Sequence, residues 1–216
     1  MLSDARSNDR SARLVLVLVG LLLPLSLFGI ARADPAPDES GSWLEDPVRS
    51  NWNQVAMNVP VAPPLDTINP RCGSTERWAE TPEDQALMDA GWSLFAPYRA
   101  SWGLVVVDAA GGYDGMCRPL AYQSFVFVAG QLAGTISPDP MNSRTTGAGT
   151  VIAISGDRVT ARFLRYAPTD PLCCPSRGAV VVDFQVSRMP EGPVLAPFRS
   201  FQEPDAAPAP RPNAPP

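Results

Sequence analysis

Histidine is absent from this 216-residue chain, and so is lysine: all 17 basic residues are arginine. Without histidine the chain holds no Ser-His-Asp or Cys-His nucleophile system and no imidazole-ligated zinc or copper site. Without lysine it holds no Ser-Lys dyad and forms no Schiff base. The chemistry left open is that of paired carboxylates, cysteine redox work or a carboxylate-held metal. Positive charge is also scarce, with 17 basic against 22 acidic residues and a net charge of -5. Residues 1–33 take four Arg and two Asp, so the remainder carries 13 Arg, 20 acids and a net charge of -7. Such a chain does not attract phosphate backbones, so no nucleic acid is expected as a partner.

There is a single long apolar run, LVLVLVGLLLPLSLFGI from Leu14 to Ile30. Arg6, Arg10 and Arg13 precede it, and Ala31-Arg32-Ala33 follows. A basic flank, an apolar core and a small-x-small site read as a secretory signal peptide over 1–33, cut before Asp34. The rival reading is a retained anchor, for which the run is short and interrupted by Pro24. A lipid anchor needs a cysteine directly after the apolar segment, whereas the first cysteine is Cys72. The expected location is extracytoplasmic, periplasmic or secreted, with no stable membrane anchor once the leader is removed. All four cysteines, Cys72, Cys117, Cys173 and Cys174, then meet an oxidising compartment that favours disulfides.

Proline marks the organisation. Residues 34–71 are rich in Pro, Asp and Ser and read as an extended arm, although Trp43, Trp52 and VAMNVPVAPPL are able to pack onto a domain. Residues 189–216 end in PDAAPAPRPNAPP and read as a disordered tail, where Phe198 and Phe201 offer a small docking site or a strap. The folded domain is expected at 72–188. One helix is signalled by Thr81 as N-cap, Pro82 at the first position and Glu83 and Asp84 at the positive end of the dipole. The run TPEDQALMDAGWSLF places Leu87, Ala90 and Leu94 on one stripe, with Gly91 free to end it.

Beyond it the pattern is β. Leu104–Asp108 is followed by a turn-rich AAGGYDG. Ser124–Val128 and Leu132–Ile136 flank Ala129-Gly130-Gln131, and Thr150–Ile154 and Val159–Tyr166 flank Ser155-Gly156-Asp157, giving two hairpins. Ala179–Val186 is the final strand. The fold class expected is α+β: an antiparallel sheet packed against one main N-terminal helix and stapled by disulfides.

The segments GYDGMCRPLAYQSFVFVAGQLAGTISPDPMNSRT and RFLRYAPTDPLCCPSRGAVVVDF resemble the LppP/LprE-type lipoprotein family of actinobacterial envelopes. The likeness rests on Tyr113, Asp114 and Cys117 before a strand, the FVFVAGQLAGT hairpin, and Cys173-Cys174-Pro175-Ser176 before the last strand, over about Gly91 to Val186. It implies an exported α+β domain with no established enzymatic activity. The chain departs from the family in lacking the lipidation cysteine.

Four cysteines allow three pairings. Ordinary disulfide geometry disfavours joining neighbours, so Cys72 and Cys117 are expected to bond separately to Cys173 and Cys174. These are read as staples; a redox-active or metal-binding Cys173-Cys174 pair is the sharper alternative, unsupported by any CxxC spacing. The long polar loop Ser137–Gly149 supplies a possible binding loop in Asp139, Asn142, Ser143, Arg144 and Thr145. The plainer reading of those residues is a turn braced by its own side chains. Asp108 and Asp114 around AAGGYDG offer a weak calcium site, and Asp139, Asp157, Asp170 and Asp183 complete the acids from which a glycosidase pair would come. No cofactor is expected. The function read from the sequence is a noncatalytic binding or accessory protein of the cell envelope, with ligand unnamed. An extracytoplasmic thiol-redox or carboxylate enzyme is the alternative.

Overall fold

The structure is a computed structural model that describes residues 42–65 and 70–204. The expected signal peptide, the start of the arm and the end of the Pro-rich tail lie outside the described residues. The described residues form one α-helix, α1 (Pro82–Asp89), and eight strands: β1 (Ser93–Ser101), β2 (Leu104–Tyr113), β3 (Pro119–Val128), β4 (Gln131–Thr135), β5 (Gly149–Ser155), β6 (Arg158–Leu164), β7 (Ala179–Met189) and β8 (Gly192–Glu203). They pair as two antiparallel four-stranded sheets, β1-β2-β3-β4 and β5-β6-β7-β8, rather than one. The fold is mostly β.

The helix starts as read. Thr81 is extended and its hydroxyl accepts from the Asp84 amide at 3.2 Å. It ends sooner than the apolar stripe implied, because Gly91 takes φ 88° and Trp92 N bonds back to Leu87 O at 3.0 Å. Leu94 therefore belongs to β1, where it is buried beside Leu87, Trp92, Val107, Phe125 and Phe127. Asp84 is buried and held by a two-pronged Arg77 bond, 2.6 Å on each arm.

A larger core lies between the sheets. Val106, Ala110, Val126 and Ala133 of the first meet Val151, Val159, Phe163, Val182, Phe184 and Leu195 of the second. The first sheet thus buries both faces, which is why β2 and β3 read as unbroken apolar runs; β6, with one wet face, alternates. Three side chains bridge the sheets, one of them Tyr122 of β3, whose hydroxyl donates to Gly149 O of β5 at 3.0 Å. Arg99 of β1 donates to Val151 O of β5 at 2.7 Å. On the other side Asn53, from the arm, donates to Thr135 O of β4 (3.0 Å) and Leu195 O of β8 (3.1 Å) and accepts from Thr135 N (2.8 Å). One amide thus takes the place of a ladder rung between two strands that share none.

Three sequence expectations are corrected. AAGG is strand and not turn: the arm crosses it so closely that a Cβ on Gly112 would meet Leu65 at 2.7 Å, and one on Gly111 would meet Pro63 O at 3.3 Å. Residues 192–203 of the expected tail are β8, an outer strand whose Pro193 and Pro197 fall at its start and at a register shift, where missing amides are tolerated. Cys72 bonds Cys117, with Cα atoms 5.2 Å apart, and Cys173 bonds Cys174. The expected cross-pairing fails because Cys72 lies against the β2–β3 turn of the first sheet, its Sγ 3.7 Å from Asp114 O. Cys173 and Cys174 lie in the β6–β7 connection of the second.

Candidate functional site

The arm is built into the domain, and its packing makes a concavity. Leu44 is fully buried, Trp43 stacks edge-on against Phe163 (4.9 Å between ring centres) and Trp52 (5.1 Å), and Trp52 reaches Phe184 at 6.0 Å. Between this arm and the loop that follows β4 runs a groove. Its main chamber, about 350 Å³, is lined by Trp52, Met57, Pro60, Val61 and Pro63 from the arm, by Trp92, and by Gln123, Thr135, Pro138 and Pro140 opposite. A second chamber of about 330 Å³ shares Trp52 and Pro138 with it and continues past Trp43 to Glu45, Asp46 and Arg49. A small pocket of about 50 Å³ branches from Trp43 and Pro140 into the 139–147 loop.

The polar groups of the main chamber are already engaged. The Trp52 and Trp92 indoles donate to Thr135 O (3.1 Å) and Pro60 O (2.7 Å). Gln123 donates to Ser137 O at 3.1 Å and accepts from the Ser137 hydroxyl at 2.9 Å; Thr135 donates to Ser137 O at 2.8 Å. These bonds fix the walls, leaving an apolar surface of indole, proline and methionine for a ligand. A site of this size and lining suits the capture of an apolar group, not acid–base work.

The loop residues singled out from sequence divide. Asp139, Asn142 and Thr145 line the small branch pocket. Asn142 also accepts from Ala121 N (2.9 Å), Thr145 donates to Asn142 O (2.8 Å), and Ser143 donates to Pro119 O (2.8 Å), so these side chains brace the turn. Arg144 sits at φ 65° and does not line the groove; it lies near enough to Tyr166 to draw the phenol pKa down, against a larger upward push from burial. The sequence reads residues 34–71 as an extended arm while allowing Trp43, Trp52 and VAMNVPVAPPL to pack onto the domain, and that alternative is the one present; the groove it forms with the 137–140 stretch has no sequence signal.

Five of the six carboxylates weighed from the sequence, Asp108, Asp114, Asp157, Asp170 and Asp183, are held by partners of their own. Asp108 is held by Arg99 (2.5 Å) and the Ser124 hydroxyl, and burial pushes its pKa up against the Arg99 charge. Asp114 pairs with Arg118, and Asp183 takes Thr160 (2.7 Å) and Arg199. Asp157 accepts from Gln185 at 3.1 Å. Asp108 and Asp114 stand at opposite ends of an extended segment, about 20 Å apart by strand rise, so they do not converge on one calcium ion as the sequence allowed. Among the described residues no group of three His, Cys, Asp or Glu is placed to hold a metal. Among them, too, no helix is long and apolar enough to cross a membrane. Phe198 and Phe201 stand half-exposed on β8, with the Arg158 and Arg199 guanidiniums 5.1 and 5.9 Å from the Phe198 ring centre.

The fold and site together define a two-sheet, disulfide-stapled β domain with an apolar groove closed by its own N-terminal arm. Residues 96–188 match the LppP/LprE lipoprotein family, so the likeness read from the sequence is shown over that span, from within β1 almost to the end of β7. That family and the disulfides point to an envelope or extracytoplasmic protein. No curated protein and no solved structure matches the chain. The matched span contributes Gln123, Thr135, Pro138 and Pro140 to the groove; Trp43, Trp52, Met57, Val61 and Trp92 come from outside it.

Proposed function

We propose that this chain is a noncatalytic binding or accessory protein of the cell envelope, exported by its 1–33 leader, that holds an apolar ligand in the arm–loop groove. Cleavage after Ala33 releases it without an anchor, and its acidic balance makes nucleic acid no partner. The observation that carries the reading is the main chamber: about 350 Å³, walled by Trp52, Trp92, Met57 and prolines, with its polar atoms already bonded to one another. Such a surface gains by being removed from water and has no acid, base or nucleophile aimed into it.

The test is a titration of the folded protein with Nile red, a neutral apolar fluorophore, comparing wild type with Val61→Glu. Val61 lines the chamber yet is 79 % exposed, so a carboxylate there leaves the fold intact while charging the site. Saturable binding with blue-shifted emission in the wild type, weakened about tenfold or more in Val61→Glu, supports the groove. Equal binding by both, or none by the wild type, overturns it.

A further inference from the structure

The connection from β6 to β7, residues 165–178, carries a feature the groove does not use. Cys173 and Cys174 are bonded to each other at a sequence separation of 1, and both are exposed. A disulfide stabilises chiefly by closing a loop in the unfolded chain, and this one closes none. Cys72–Cys117 is the opposite case: it spans 45 residues and Cys72 is fully buried.

The connection has other restraints besides that bond. The Asp170 carboxylate accepts from the Ala167 and Ser176 amides, both at 2.7 Å. Cys174 N bonds Pro171 O at 2.9 Å, and Tyr166 donates from its hydroxyl to Leu172 O at 3.2 Å. At the base, Arg165 N bonds Gly178 O (3.1 Å) and Arg177 N bonds Arg165 O (3.2 Å). The two cysteines are therefore exposed on a loop framed by hydrogen bonds that do not involve their sulfurs.

We propose that Cys173–Cys174 is a thiol–disulfide exchange site that accepts two electrons from a dithiol in the exported compartment. A thiolate of the dithiol attacks one sulfur; the Cys173–Cys174 bond breaks, and its electron pair leaves on the other sulfur as a thiolate. The dithiol's second thiolate then attacks the mixed disulfide. The dithiol ends as a disulfide, the pair as two thiols, and two protons accompany the two electrons. This inference is independent of the groove: it involves other residues and is read by thiol reactivity, not by ligand binding.

The experiment equilibrates the full folded chain in mixtures of reduced and oxidised dithiothreitol, followed by acid quench, alkylation with N-ethylmaleimide and peptide mapping. The proposal predicts that Cys173 and Cys174 become alkylated together while Cys72 and Cys117 stay protected and the circular dichroism is unchanged. The midpoint for the adjacent pair should fall at a reductant ratio about tenfold or more below that of Cys72–Cys117. Removing reductant should restore the bond. In Cys173→Ser, Cys174 should be alkylated without any reductant. Reduction of all four cysteines in one step with loss of structure, or peptides joining Cys72 or Cys117 to Cys173 or Cys174, would overturn the proposal.

Discussion

Asn53 shows how much one side chain carries. It satisfies the Thr135 amide and the Thr135 and Leu195 carbonyls from a position that is itself buried. Removing it strands the Thr135 amide and the Leu195 carbonyl, while the Thr135 carbonyl keeps the Trp52 indole, so Asn53→Ala is predicted to cost about 2–4 kcal/mol in urea unfolding. Gly134 is its counterpart: at φ 150° a Cβ there would sit 2.2 Å from the Asn53 side chain. Gly134→Ala is expected to destabilise by a similar amount through the same contact. Asp84 adds a pH dependence. Burial pushes its carboxyl up, but the Arg77 fork and the Glu80 and Thr81 bonds more than offset this, and the pKa is lowered. The unfolded group titrates near pH 4, about 3.9, so the pair's contribution is full above that and is lost as pH falls through the folded value. Thermal unfolding of Asp84→Asn should accordingly differ from wild type at pH 7 and converge on it in acid.

At the scale of the element, the turns announced themselves and the edges did not. Both hairpins predicted around Gly130 and Gly156 are present, and Thr81-Pro82 opens the helix as read. β1 and β8 were illegible because each carries prolines: Pro97 within the irregular stretch between Phe95 and Arg99, and Pro193 and Pro197 in β8. An outer strand accommodates them, but no local pattern says that a strand will be outermost. β8 matters all the same, since Leu195 is fully buried in the core and accepts from Asn53. A chain stopped after Met189 is predicted to lose its native β signal in circular dichroism, where a dispensable tail would leave it unchanged.

For the whole molecule, the sequence showed chemistry but not proximity. The loop at 137–149 is visible as a polar insertion, whereas its juxtaposition with the Trp52–Pro63 arm, some 80 residues earlier, is not, because long-range packing leaves no periodic trace. The disulfide pairing escapes the sequence too: ordinary geometry disfavours bonding neighbours, and only the fold, which brings Cys72 to the β2–β3 turn, decides otherwise. The two bonds should therefore be unequal. Replacing Cys72 and Cys117 by Ser is predicted to cost about 4 kcal/mol, from the entropy of a loop of that length. Replacing Cys173 and Cys174 should change the unfolding midpoint little.

A ligand held in the groove between arm and loop would shield the amides that line it. Hydrogen–deuterium exchange with and without Nile red tests this most directly. Slowed amides are expected only at residues 52–63 and 135–140, and none in Val61→Glu. Protection elsewhere on the domain, or none at saturating dye, would contradict binding in the groove.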